Sequence, residues 1–303
     1  MNQAMKEYVA SILPVENIRF REPMRNYTSF RTGGEADCMI IIDHAQQLGK
    51  LLNYMYVTGN EYFLLGNGTN LLVSDKGYDG VVIKFGPNMS RIHVDGEQIY
   101  VQAGALLSQT AKRAMEEGLT GMEFAAGIPG SIGGGIVMNA GAFDGEMSQI
   151  VENVTVMNES GEIMELTRDT MEFGYRTSVI KNRSFAVLEA ELRLQKGDRE
   201  EICARMEDFA ARRKAKQPLE YPSAGSVFKR PEGYYAGKLI MDSGLRGCRV
   251  GGAQVSEKHC GFIVNMGNAT SEDIAELMDE VQERVKERFR VTLEPEIVKL
   301  GDF

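Results

Sequence analysis

Ala126-Gly127-Ile128-Pro129-Gly130-Ser131-Ile132-Gly133-Gly134-Gly135-Ile136-Val137-Met138-Asn139-Ala140-Gly141-Ala142 is the densest glycine stretch of the chain. Glycine removes the side chains that keep a ligand away from the main chain, and successive exposed N–H groups there would cradle a pyrophosphate. A flexible linker would not carry the interleaved Ile132, Ile136, Val137 and Met138, which read as core residues. The stretch therefore predicts a ligand-binding turn built into a packed domain.

Two further polar, glycine-bearing segments precede it, Thr28-Ser29-Phe30-Arg31-Thr32-Gly33-Gly34 and Leu65-Gly66-Asn67-Gly68-Thr69-Asn70-Leu71. The second joins one apolar run to the next, which places its glycines in a strand-connecting loop. Gly66-Asn67-Gly68 lacks the third glycine of G-x-G-x-x-G, and no Gly-Lys-Ser/Thr follows any glycine-rich loop, so neither a standard dinucleotide fingerprint nor a P-loop is supported. One large ligand touched by all three segments is the economical reading.

Outward from these loops the apolar patterning predicts an α+β chain of more than one domain. Residues 1–85 read as a small mixed unit: helix over 2–13, strand Asp37–Ile42, helix over 44–58, then strands Tyr62–Leu65 and Val81–Phe85 at βαβ spacing. Residues 86–200 are richer in strands (Gln98–Gln102, Val151–Met157, Glu162–Leu166, Phe185–Leu194), with a helix near Leu106–Glu117. A charged helix from Asp198 to Gln217 is closed by Pro218 and Pro222 and marks a boundary near residue 200. A third unit over 201–290 ends in a long helix. That helix opens with a capping box, Thr270 and Asp273, and carries Ile274, Leu277, Met278, Val281, Val285 and Phe289 on one stripe that must pack on a sheet. The segment Val291–Ile297 then predicts a strand, whose Pro295 suits an edge or a bulge.

With 303 residues and 43% hydrophobic content the chain fills more than one core. A net charge of −9 with scattered Lys and Arg argues against a nucleic-acid partner. Cys38, Cys203, Cys248 and Cys260 lack C-x-x-C spacing and His44, His93 and His259 lie far apart, so an organic cofactor is expected rather than a metal. The N-terminus has neither a basic start nor a continuous apolar run, and no stretch reaches the ~18 to 20 apolar residues that span a bilayer. A cytoplasmic protein without a membrane partner is the expectation; oligomeric state is left open.

Asn26–Gly34, Gly66–Leu72 and Gly127–Gly134 resemble, in order and spacing, the FAD-binding segments of the UDP-N-acetylenolpyruvoylglucosamine reductases. The resemblance continues through Phe173-Gly174-Tyr175-Arg176-Thr177-Ser178, Pro222-Ser223-Ala224-Gly225-Ser226-Val227-Phe228-Lys229 and Leu293-Glu294-Pro295-Glu296-Ile297, and so spans nearly the whole chain. The glycine-rich turns alone are shared with the wider vanillyl-alcohol-oxidase (PCMH-type) FAD domain, while the last three motifs narrow the family. The short path from Tyr175 to Ser226 resembles the shorter class of the family, which lacks an extra substrate loop.

The resemblance implies an FAD domain of two subdomains, over 1–85 and 86–200, and a C-terminal α/β substrate lobe over 201–290, with the strand about 291–303 returning near the first. FAD would be held without a covalent link by Thr28, Ser29, Arg31, Thr32, Gly33, Gly66, Asn67, Gly68, Thr69, Asn70, Ala126, Gly127, Pro129, Gly130, Ser131, Gly133, Gly134, Asn139, Ala140 and Gly141. NADPH would reduce it, and the reduced cofactor would then reduce UDP-N-acetylglucosamine enolpyruvate. Hydride arriving at the methylene carbon drives charge into the neighbouring carboxylate as an enediolate, which a fixed guanidinium stabilises; the motif match gives that task to Arg176. Ser226 would donate the proton to the carboxylate-bearing carbon. Glu296 would assist, either protonated beside the enediolate or ionised along the proton path, and Glu294 competes for that assignment by strand alternation. Tyr175, Lys216, Lys229 and Arg230 are candidate substrate contacts, the cations for the diphosphate. His259 reads as a partly buried strand histidine outside the catalytic set. Two rivals remain: an oxidase of the same fold, which often tethers FAD through His or Cys, and a non-catalytic nucleotide-binding or flavin-carrying module. Neither tether residue occurs in the three glycine-bearing segments.

Overall fold

A computed structural model describes residues 2–303. The chain divides into two compact units, one formed by residues 1–20, 38–67 and 80–213, the other by residues 21–37, 68–79 and 214–303.

The first unit holds two cores. In one, helix Ala45–Thr58 buries Leu48, Leu51, Leu52 and Met55, a stripe at helical spacing, among Cys38, Ile40, Ile42, Val81 and Ile83. The strands Tyr62–Leu65 and Tyr78–Phe85 run parallel there, with Leu65 opposite Lys84. They belong to a four-stranded sheet ordered Ile18–Pro23, Glu35–Ile42, Tyr78–Phe85, Tyr62–Leu65. The predicted strands and helices over 1–85 are present in order, with Glu35–Ile42 and Tyr78–Phe85 longer at their N-terminal ends than the apolar runs imply, and with Ile18–Pro23 and Leu71–Val73 as strands the patterning did not predict.

The second core is built on an antiparallel sheet ordered Ile163–Thr167, Val151–Met157, Ala186–Arg193, Gln98–Gln102, Ile92–Asp95. Val154 and Val156 alternate with the more exposed Asn153 and Thr155 at period 2, while a register irregularity between Val151 and Asn153 lets Val151 join the same core and Met157 packs into the other one. Helix Leu107–Glu116 covers this core through Leu107, Ala111 and Ala114. The glycine-rich stretch adds a short helix, Ile132–Val137, whose Ile132 and Ile136 are fully buried. Each such side chain contributes about 1.5–3 kcal/mol by leaving water, so the stretch is anchored in the core as its composition implies. Val137 and Met138 are only half-buried.

In the second unit a three-stranded antiparallel sheet, Arg249–Val250, Ala253–Val255 and Ile263–Asn265, is covered by helix Ser271–Phe289. Ile274, Leu277, Met278, Val281 and Val285 form its buried stripe. The capping box is closed: Asp273 N donates to Thr270 Oγ1 and Thr270 N to an Asp273 carboxylate oxygen, both at 3.0 Å. Asp75 accepts from Ser271 N at 3.0 Å and Glu272 N at 2.9 Å, satisfying two more donors of the first turn.

The final strand corrects an expectation. Val291–Ile297 is not a regular strand; the strand is Val298–Leu300, paired in parallel with Leu71–Val73. Pro295 has no N–H to give a ladder, and the segment before it makes a single bridge, Phe228 opposite Pro295. Lys229 N donates to Glu294 O and Glu296 N to Val227 O on either side of it.

Candidate active site

In the first unit the glycine-rich stretch and the Phe173–Ser178 motif form one piece of structure. Asn139, 1% exposed and at φ +42°, donates from Nδ2 to Gly174 O at 3.0 Å and accepts from Ser148 N at 2.9 Å. Ser178 Oγ donates to Val137 O at 2.9 Å. Arg176, at φ +55°, turns its guanidinium onto the same stretch, with Nη2 3.0 Å from Gly141 O and Nη1 3.4 Å from Asn139 O. Its guanidinium carbon also lies 5.1 Å from the centre of the half-exposed Tyr175 ring. Two carbonyls and an aromatic face thus fix the direction of a permanent positive charge. Asn139 was expected as a cofactor contact and Ser178 only as the end of its motif; their holding the two motifs together is a long-range pairing with no local sequence signal.

The main chain of the glycine-rich stretch differs from the expectation of successive exposed N–H groups. Ile132 N and Gly133 N donate to Ala105 O and Ala103 O, Gly134 N to Ser131 Oγ, and Gly135 N to Ser131 O. These donors are consumed because the stretch enters a helix capped by Ser131 and lies against a neighbouring strand end. What the glycines provide is closeness: a Cβ on Gly133 would come within 3.0 Å of Ala103 Cβ, and one on Gly135 within 3.0 Å of Leu107. Asn67 Nδ2 donates to Pro129 O, and a Cβ on Gly66 would stand 2.8 Å from Ser131 Oγ. Gly66, Asn67 and Ser131 line a small cleft together with Leu65, Lys84, Phe85 and Gly104. Ala126, Gly127 and Gly130 belong to the loop that precedes this cap, where Arg213 donates to Gly127 O.

In the second unit the Thr28–Gly34 and Gly68–Asn70 segments close on each other. Ser29 N donates to Gly68 O at 3.0 Å, and a Cβ on Gly68, at φ +62°, would fall 1.7 Å from Tyr27 O. Thr28 and Thr32 are buried: Thr28 Oγ1 donates to Thr32 O at 2.8 Å, and Thr32 Oγ1 accepts from Ser271 Oγ at 2.8 Å. Arg31 is exposed at φ +57°, and Gly33, at φ +116°, passes so close to Val73 that an added Cβ would lie 2.8 Å from it. Thr69 completes the turn into Leu71. Left-handed and crowded positions at Gly33 and Gly68 are the ones that require glycine.

The same unit brings Ser226 and Glu296 together. Ser226 bridges Phe262, and Val227 N donates to Gly261 O, while Val227 O accepts from Glu296 N at 2.8 Å. The Ser226 hydroxyl is exposed and makes no hydrogen bond among the described residues. Asn70 Nδ2 donates to Glu296 O at 2.9 Å, tying the Gly68–Asn70 loop to the segment that bears the carboxylate. Glu294 instead pairs with Lys229, 3.1 Å away, on an exposed edge. The two glutamates, which alternation places on one face, therefore have different neighbours.

Lys229 is thus engaged by Glu294, and Arg230 stacks on Tyr235, 4.0 Å from the ring centre, with Nε 3.3 Å from Tyr234 O. Lys216 ends helix Arg199–Lys216 and is exposed. His259 lies in the turn between Ala253–Val255 and Ile263–Asn265 rather than in a strand. Burial and then the Lys216 charge hold its imidazole below the usual range, opposed by a backbone hydrogen bond. Its Nδ1 accepts from Gly261 N at 3.2 Å, a contact of the neutral ring.

Residues 217–300 match the family described as UDP-N-acetylenolpyruvoylglucosamine reductase, C-terminal domain, and residues 36–167 match the FAD binding domain family. A UDP-N-acetylenolpyruvoylglucosamine reductase of Alkaliphilus oremlandii is 48% identical over 98% of this chain and 99% of its own. That of Caldanaerobacter subterraneus is 48% identical over the full length of both. The crystal structure of the Thermus caldophilus enzyme of the same name covers 94% of this chain and 98% of its own, with TM-score 0.81 at 35% identity. At fold level alone, a glucose dehydrogenase, Phl p 4.0202, covers 65% of this chain and 45% of its own with TM-score 0.52 at 12% identity.

Proposed function

The chain belongs to the UDP-N-acetylenolpyruvoylglucosamine reductase family, and from that premise we propose that Arg176, Ser226 and Glu296 carry its reaction. The activity is the FAD-dependent reduction of UDP-N-acetylglucosamine enolpyruvate to UDP-N-acetylmuramate with NADPH, a step of peptidoglycan precursor synthesis. The fold is accordingly a PCMH-type FAD domain joined to the family's C-terminal domain. We assign residues 1–85 and 86–200 to cofactor binding and 201–290 to substrate binding, and place the reaction in the cytoplasm, where NADPH and the nucleotide sugar are found.

The residues present fit FAD. Glycine at 66 and 68 permits the close chain packing that shapes the loop, and the cleft beside Ser131, lined by Gly66, Asn67, Lys84 and Gly104, presents polar groups to a diphosphate-bearing ligand. Thr28–Gly33, Gly66–Asn70 and Ala126–Gly141 would hold it. Bound FAD supplies the hydride relay, from NADPH to the methylene carbon of the enol ether.

Arg176 then meets the negative charge that develops on the substrate carboxylate. Its planar fork is aimed by Gly141 O and Asn139 O before substrate arrives, so little reorganisation is needed. Ser226 gives its hydroxyl proton to the carbon bearing the carboxylate, which completes the saturated lactyl ether. A hydroxyl is a weak acid and needs its proton resupplied. The pairing that carries this reading is Glu296 N on Val227 O, which sets the carboxylate-bearing residue beside the Ser226 turn. Lys216, Lys229, Arg230 and Tyr175 are the remaining substrate contacts we propose.

Ser226→Ala tests the assignment. The hydroxyl has no hydrogen-bond partner among the described residues, so folding and flavin content should be retained. Reduction by NADPH should stay near wild type, while reoxidation by the enolpyruvyl substrate falls by about 10²–10⁴. Wild-type reoxidation in this variant would reduce Ser226 to a turn residue.

A further inference from the structure

Lys84 has no task in the reading above. It lies opposite Leu65, at the carboxyl ends of the parallel strands Tyr62–Leu65 and Tyr78–Phe85, the side of a parallel sheet where ligands are commonly bound. Its ammonium donates to Gly66 O at 2.9 Å. Among the described residues it is the one charged side chain lining the cleft formed with Gly66, Asn67, Gly104 and Ser131.

The side chain is half-buried, and burial pushes its pKa down, with no carboxylate contributing in the other direction. Among the described residues no acid pairs with it. An ammonium carries three donor hydrogens, of which the Gly66 carbonyl takes one. A cation withdrawn from water without a counter-charge is disfavoured, and the burial is offset when an anion enters the same space. The rest of the lining suits an anion with several oxygens: an amide at Asn67, a hydroxyl at Ser131, and glycines at 66 and 104.

We propose that Lys84 is a further cofactor-binding residue, its ammonium holding a phosphate of the FAD diphosphate beside the Gly66–Asn67 turn. This rests on the reading that the Gly66–Asn70 loop binds FAD. Lys84 also steadies the turn through Gly66 O, so the charge and the hydrogen bond must be separated by experiment.

Titrating apoprotein with FAD, followed by quenching of flavin fluorescence, separates them when Lys84→Gln and Lys84→Arg are compared with wild type. Glutamine keeps a donor for Gly66 O without the charge; arginine keeps the charge. Lys84→Gln should bind FAD at least about tenfold more weakly, with a flatter dependence of affinity on salt, while Lys84→Arg recovers most of the affinity. FAD affinity for Lys84→Gln equal to wild type would overturn the proposal. So would equal losses in both variants with an unchanged salt dependence. Wild-type apoprotein that binds no FAD would instead defeat the underlying reading of the loop. A second measurement needs no variant: acetylation of Lys84 in wild-type apoprotein, read by mass spectrometry, should slow about tenfold or more when FAD is added. Unchanged acetylation under saturating FAD would also overturn it.

Discussion

Gly68→Ala is the substitution at which the geometry of the cofactor loop can be tested most sharply. Gly68 sits at φ +62°, a left-handed conformation that costs an L-residue about 1–2 kcal/mol. The new Cβ would lie 1.7 Å from Tyr27 O and 2.9 Å from the Tyr27 carbonyl carbon, both backbone atoms with no rotamer to yield. The Tyr27 carbonyl must therefore retreat by about 1 Å or more, and the bond from Ser29 N to Gly68 O, 3.0 Å long, goes with it. A lost hydrogen bond adds about 0.5–1.5 kcal/mol. Restoring the native turn around a ligand then takes about 2–3 kcal/mol, which weakens FAD binding by roughly 30- to 150-fold. The control is Gly96→Ala, in the hairpin between Ile92–Asp95 and Gln98–Gln102. Gly96 has the same left-handed φ, +63°, and nothing within 4 Å of the added carbon. Fluorescence titration of apoprotein with FAD should show the loss for Gly68→Ala and none for Gly96→Ala, although both lower thermal stability. Equal FAD affinities for Gly68→Ala and wild type would refute the reasoning that this crowded turn shapes the cofactor site.

Three other substitutions probe the reaction and the stability of the fold. Arg176→Lys keeps the charge but cannot span Gly141 O and Asn139 O, so single-turnover reoxidation by substrate should slow by about 10² while reduction by NADPH is unchanged. Thr270→Ala should destabilise the protein by about 1 kcal/mol in urea unfolding at neutral pH, since it removes the acceptor for Asp273 N. Burial opposes the ionised Asp273, but bonds from Thr270 N and Gly252 N and the Thr270 hydroxyl outweigh it and hold the carboxyl below its usual range. A lowered folded-state pKa means that the Asp273 contribution is complete above the unfolded value and is lost as pH falls through the folded one. Asp273→Asn should accordingly destabilise at neutral pH and approach wild type in strong acid, and a penalty that persists undiminished there would contradict this assignment.

Most elements of the fold were legible because burial imposed a clean period. Leu48, Leu51, Leu52 and Met55 declare a helix by their spacing, and the β-branched run of Val151–Met157 declares a strand by its composition, before any tertiary contact is known. The chain's end was misread for a physical reason. Val291–Ile297 has the composition of a strand, but its extended backbone is organised around Pro295 and the Ser226–Lys229 segment, a long-range pairing that local propensity does not report. At the site, motif resemblance named Arg176, Ser226 and Glu296 but not their supports. Asn139 and Asn70 were expected as cofactor contacts and Ser178 only as part of its motif; that they hold the carbonyls of Gly174, Glu296 and Val137 emerges only with the fold. The glycine-rich stretch shows the reverse failure: its composition suggested free N–H groups, whereas Ile132 to Gly135 spend theirs on the helix start and on Ala103 and Ala105. Lys84 carried no signal at all, since a lysine near the end of an apolar strand reads as a solvated edge charge.

Anaerobic stopped-flow absorbance of the purified holoprotein reads both half-reactions. NADPH should bleach the flavin band, and UDP-N-acetylglucosamine enolpyruvate, added next without oxygen, should restore it in a single turnover. A bleached band that ignores this substrate would contradict the account.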